Sequence, residues 1–92
     1  MEDIIERITQ MESYFDCIQV AVRTNRDFFH EDAAIQDMLK ALIVYYENGQ
    51  WLSDFECDER GELPVGLKRG ILSEDAIYNL LSEIPMGKTR IK

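Results

Sequence analysis

The chain has 92 residues, 18 acids against 10 bases, a net charge of −8 and two cysteines. That length sets one domain. The charge opposes the cationic footprint that phosphate backbones require, so nucleic acid is set aside as a partner.

Cys17 and Cys57 lie far apart in sequence and His30 is the lone histidine, which argues against both a disulfide framework and a structural zinc site. Met1-Glu2-Asp3 is acidic, and no apolar run of signal or membrane length follows. The expectation is a cytoplasmic chain with free thiols and no membrane partner. A domain this small buries only about 60 % of its unfolded surface. Association is then the natural reinforcement. The acidity serves solubility, with a face for a basic partner as the second reading.

Residues 3–23 predict a long helix. Ile4, Ile8, Met11, Phe15, Ile18 and Val22 recur every three or four residues and form one apolar seam, widened by Ile5 and Val20. Glu6, Arg7, Glu12, Asp16, Gln19 and Arg23 fall on the wet side. Thr24-Asn25-Arg26 breaks the pattern. A second helix starts between Asp27 and Asp32 with the stripe Ile35, Met38, Leu39, Leu42, Tyr45 and Tyr46, and with Phe28 as an upstream member. Asn48-Gly49 stops it. The short connection makes the two helices an antiparallel hairpin.

Residues 50–59 read either as a short amphipathic helix anchored by Trp51, Leu52 and Phe55, with Gly61 past its end, or as an acidic loop. Leu63-Pro64-Val65-Gly66 is a connector, because proline disfavours helix in the residue before it. One turn over residues 67–72 closes at Gly70, with Leu63, Leu67, Ile71 and Leu72 seating the segment. Ser73 is the expected N-cap of a last helix with Ala76, Ile77, Leu80, Leu81 and Ile84 on its apolar face. Pro85 and Gly87 end it, and residues 87–92 form a basic tail that frays.

Chemical motifs fail on geometry. Asp54, Glu56 and Asp58 have the spacing that opens a calcium loop, but Glu59 and Val65 stand where that loop needs glycine and a bidentate glutamate. A solvated acidic face is the better reading, so no metal or cofactor is expected. Cys57 sits among carboxylates, whose field raises a thiol pKa and favours a packing role over a nucleophilic one. Cys17 is expected half buried beside the seam, and nothing in the sequence pairs with His30 for catalysis. Lys68 and Arg69 either cradle an anion or neutralise the acids of residues 54–62; the second reading is more economical. Tyr45, Tyr46, Trp51, Phe55 and Tyr78 are core residues or a contact patch.

Residues 45–81 carry W-L-x-D-x-E, G-E-L-P, L-K-R-G and L-S-E-D-A-I-Y-N-L-L in that order. With these pieces the chain resembles a family of short bacterial and phage proteins, domain of unknown function 4298. The likeness is close over residues 45–81 and looser, in length and pattern, over the helices before them. It implies a single small bacterial domain, cytoplasmic and without an assigned activity, and it carries over no catalytic residue. Residues 25–31 are richer in aromatics than that pattern, which leaves the inter-helix turn open.

The expectation is therefore an all-α fold, with a long antiparallel hairpin, a folded-back C-terminal segment and a short final helix. Residues 1–86 form the domain. The leading function is a non-enzymatic interaction module that self-associates as a homodimer through the hairpin and its helix-one seam. The alternatives are a small-ligand site or enzyme using Asp54, Asp58, Lys68, Arg69 and Tyr78, and an acidic regulator of a basic protein. The candidate patch is Tyr45, Tyr46, Trp51, Asp54, Phe55, Asp58, Lys68, Arg69 and Tyr78.

Overall fold

Ile8, Met11, Phe15, Ile18 and Val22 all turn inward along one long helix, α1 (Glu2–Thr24). This comes from a computed structural model that describes residues 2–84, where all regular structure is helical. The seam thus packs inside its own chain, with Ile4 partly buried at its upper end. It is not left exposed for a second copy, as the dimer expectation required. Two flanking assignments change. Val20 is 59 % exposed, and Glu12, expected in water, is 5 % exposed. Glu12 lies four residues after Ile8 and three before Phe15, which puts it on the buried stripe.

A 3-10 segment (Arg26–Glu31) joins α1 to α2 (Ala33–Glu47). Phe28 leaves helical geometry at φ −115° and is 59 % exposed, while Phe29 is fully buried. The kink at Phe28 takes its ring out of the helical register. The inward aromatic is thus Phe29, not the expected Phe28. Asp32 caps α2 by accepting the Ile35 N–H at 3.2 Å. Ile35, Leu42 and Tyr45 are buried along α2, with Met38, Leu39 and Tyr46 partly so.

After Gly49 the chain forms α3 (Gln50–Glu59), which resolves the helix-or-loop alternative as helix. Its end is closed by Gly61 at φ +72°. The Glu62 N–H reaches the Cys57 carbonyl and the Gly61 N–H reaches the Asp58 carbonyl, which together form a Schellman cap. The inward face of α3 differs from the one expected. Asp54 and Cys57 are buried, Trp51 and Phe55 are half-buried, and Leu52 is 51 % exposed.

The connector returns to α1. Leu63, Ile71 and Leu72 are buried, and Leu67 is partly so. A second 3-10 turn (Gly70–Leu72) starts at Gly70 instead of closing there. A Cβ on Gly70 would stand 3.1 Å from Glu12 Oε2, so the missing side chain lets that carboxylate reach the turn. The last helix, α4 (Ala76–Glu83), begins two residues later than the Ser73 cap implies, with Asp75 at its N-cap. Ser73 is extended and accepts the Ala76 N–H through its carbonyl, at 3.2 Å. Ile77 and Leu80 pack inward, joined by Ala76, Leu81 and Ile84 at the edge. Arg26 Nη1 donates to the Glu83 carbonyl at 3.2 Å, tying the end of α4 to the first 3-10 segment. The expected basic tail, and the stop at Pro85 and Gly87, lie outside the described residues.

Candidate functional site

The most buried polar group is Asp54, at 0 % exposure. Arg7 from α1 holds it with two prongs: Nη2 donates to Oδ1 at 2.5 Å and Nε to Oδ2 at 3.0 Å. Tyr45 from α2 adds its hydroxyl to Oδ2 at 2.8 Å. A bidentate guanidinium–carboxylate pair suits a desolvated position because both oxygens find donors. Burial, and then the bond to Asp54, push the Tyr45 phenol far above its ordinary pKa. Its own hydrogen bonding to Asp54 raises the Arg7 guanidinium as well. The three groups lock α1, α2 and α3 together, with no oxygen of the carboxylate turned to water.

A second clasp holds the connector. The Ile71 N–H donates to Glu12 Oε1 at 3.0 Å, and the Ile71 carbonyl accepts from the Trp51 indole at 2.7 Å. The two peptide groups that flank Ile71 are thereby fixed by side chains from α1 and α3. Among the described residues, every buried side-chain nitrogen and oxygen has a partner.

The sequence-predicted residues separate into five places. Tyr45 and Asp54 belong to the interior clasp. Tyr46, Trp51 and Phe55 form a row at the α2–α3 junction: Tyr46 meets Trp51 edge-on at 5.3 Å, and Trp51 stacks on Phe55 at 5.0 Å and 16°. Asp58 and Arg69 pair at 3.2 Å, and Arg69 Nη1 also donates to the Pro64 carbonyl. Lys68 turns the other way, to Asp16 on α1 at 2.5 Å. That contact raises the ammonium above its ordinary pKa. The expected neutralisation of residues 54–62 thus holds for Arg69, whereas Lys68 serves α1. Tyr78 is 64 % exposed on α4. Asp54 and Lys68 are not brought into one pocket.

The thiols also separate. Cys57 is 3 % exposed. Burial raises its pKa first, and the Glu62 carboxylate at 3.5 Å adds to the effect, so the neighbouring acids are the smaller cause. Glu62 is itself held below the usual carboxylate range by Arg60. Cys17 is exposed, not half-buried. It lies where two open cavities meet on the outer side of α1. One, of about 320 Å³, is lined by Thr9, Glu12, Ser13, Asp16, Cys17 and Lys68. The other, of about 460 Å³, continues past Val20 and Ala21 to Asp32 and Ile35.

A family model described as domain of unknown function (DUF4298) matches residues 8–86. The chain belongs to this family. The DUF4298 match spans the Glu12–Ile71–Trp51 clasp, the aromatic row and the Tyr45 and Asp54 members of the first clasp, and starts one residue after Arg7. No curated protein and no solved structure matches the chain. No helix among the described residues is long and apolar enough to cross a membrane.

Sequence reasoning missed Arg7 and Glu12 as interior partners and, while naming Trp51 as an anchor, gave its indole N–H no acceptor. Glu12 carried a signal, its place between Ile8 and Phe15 on the stripe. Arg7 carried none within α1, because its partner comes from residues far along the chain.

Proposed function

We propose that this chain is a non-enzymatic protein-interaction module built on an antiparallel α1–α2 hairpin, with the aromatic row as its contact face. The antiparallel reading rests on two neighbourhoods. Tyr45, late in α2, shares Asp54 with Arg7, early in α1. Ile35, early in α2, lines a cavity with Thr24, late in α1. The observation that carries the function is the row itself. Tyr46, Trp51 and Phe55 stay half-buried beside the exposed Leu52 instead of entering the core. Aromatic side chains flanked by polar groups supply the anchors of protein interfaces. The Asp58–Arg69 pair next to the row brings both charge signs. A second copy meeting the row across a two-fold axis would therefore find complementary groups.

The test is molecular mass over a dilution series, by sedimentation, for the native chain and Leu52→Arg. The expected result is a mass that rises with concentration in the native chain and stays monomeric in the variant. A native chain that is monomeric throughout removes self-association. A variant that still associates removes the aromatic face.

A further inference from the structure

We propose that the outer groove of α1 is a docking site for a cationic amphipathic helix of a partner protein, independent of the aromatic face. The two cavities share Asp16 and Cys17, so they form one trough running from Thr9 to Thr24. Fifteen residues of helical rise make it about 22 Å long, the length of a four-turn helix. In its lower half Val20, Ala21 and Ile35 give an apolar floor, while the small side chains Thr9, Ser13 and Cys17 line the upper half. Small walls let a second helix axis come close, and the floor gives its apolar side chains a seat.

The charge of the lining decides what kind of helix fits. Asp16 stands at the middle of the trough and Asp32 at its far end, and no base lines the lower half. Lys68, in the upper half, is already paired with Asp16. A partner lysine or arginine can lay its aliphatic stem along Val20 and bring its head to Asp32, whose Oδ1 alone is taken by the Ile35 N–H. A second copy docking here would bring the same two acids to face these, which works against it.

The exposed Cys17 thiol reports occupancy directly, since the other thiol, Cys57, is buried. The probe is a synthetic Leu/Ala/Lys helix of about 16 residues, with a Glu-for-Lys counterpart as control. The reading is the rate of Cys17 modification by a disulfide reagent on the full chain. Saturating Lys peptide should slow that rate about tenfold. Val20→Arg, an exposed substitution, should remove the protection, as should raised salt. Leu52→Arg should leave it unchanged, which separates this groove from the aromatic face. Four results would overturn the proposal: equal protection by the Glu peptide, no protection by either, protection that survives Val20→Arg, or protection that appears with chain concentration alone alongside a doubled mass.

Discussion

α1 and α3 both cross the interior, yet they bury opposite kinds of side chain. α1 turns Ile8, Ile18 and Val22 inward at 2 % exposure or less. α3 turns Asp54 and Cys57 inward and leaves Leu52 half in water. The apolar stripe of the first helix is held by non-directional burial, which tolerates a change of shape at a cost set by volume, although Arg7 and Glu12 of the same helix join the clasps. The second is held by hydrogen bonds with fixed geometry, which fail as a unit when one partner is removed. A small domain gains register from such a fixture: the Arg7–Asp54–Tyr45 clasp can form in only one alignment of α1, α2 and α3.

Removing the charge from α3 should be among the largest effects. Asp54→Ala leaves the buried Tyr45 phenol unpaired and the partly exposed Arg7 guanidinium without its anchor, and should cost about 3 kcal/mol in urea unfolding, the lower end for a broken buried pair because Arg7 keeps access to water. That is a large share of a domain's whole margin. Replacing the pair by apolar groups, as Arg7→Met with Asp54→Leu, should recover much of the loss. A double variant no better than Asp54→Ala would mean that geometry, not stranded charge, is what Asp54 supplies. On α1, Ile18→Ala should cost about 2–5 kcal/mol through lost burial and a cavity, with no dependence on pH.

The two regions should also separate by pH. The Tyr45 phenol holds its proton in the folded state well above its ordinary range. The unfolded chain releases that proton from about pH 10 upward. Its stabilising contribution is therefore complete below that pH and lost as pH rises above it, at about 1.4 kcal/mol per pH unit. Cys57, shifted in the same direction, adds to the fall from a lower starting pH. Urea midpoints between pH 9 and 11 for the native chain and Tyr45→Phe, read as a difference, isolate the phenol. Parallel curves would show that Tyr45 ionises alike in both states and that the clasp does not hold its proton.

The apolar half of this architecture was legible from the sequence because its signal is local. The seam of α1, the stripe of α2 and the inward face of α4 each follow from side-chain spacing within one element, and their members are buried or partly buried, apart from the exposed Val20 and Phe28. The polar half was not. Asp54 in a run of acids reads as a solvated residue until Arg7, forty-seven positions earlier, is placed beside it. Ile71 gives no sign in the sequence that Glu12 and Trp51 will claim its two backbone polar atoms. Ser73 misled for the same reason. A good capping residue marks where a helix can start, but after the buried turn the helix starts two residues later, with Asp75 at the cap. The aromatic row was half legible: its members were named, but whether rings pack inward or outward depends on neighbours that only the folded chain supplies.

The smallest expected effect is the sharpest test of the inverted face of α3. Leu52 sits on an amphipathic pattern with Trp51 and Phe55 and would ordinarily be taken for an anchor, yet half its surface is in water. Leu52→Lys should therefore change stability by no more than about 0.5 kcal/mol, the range of surface substitutions. Lysine also keeps helix propensity close to that of leucine, so the backbone contributes little to the difference. The decisive quantity is the order within one helix. If Leu52→Lys costs more than Asp54→Ala, then α3 rests on its apolar edge and the buried carboxylate is incidental. If the order is the reverse, the helix is fixed by its charge, and Leu52 is free to serve a contact outside the fold.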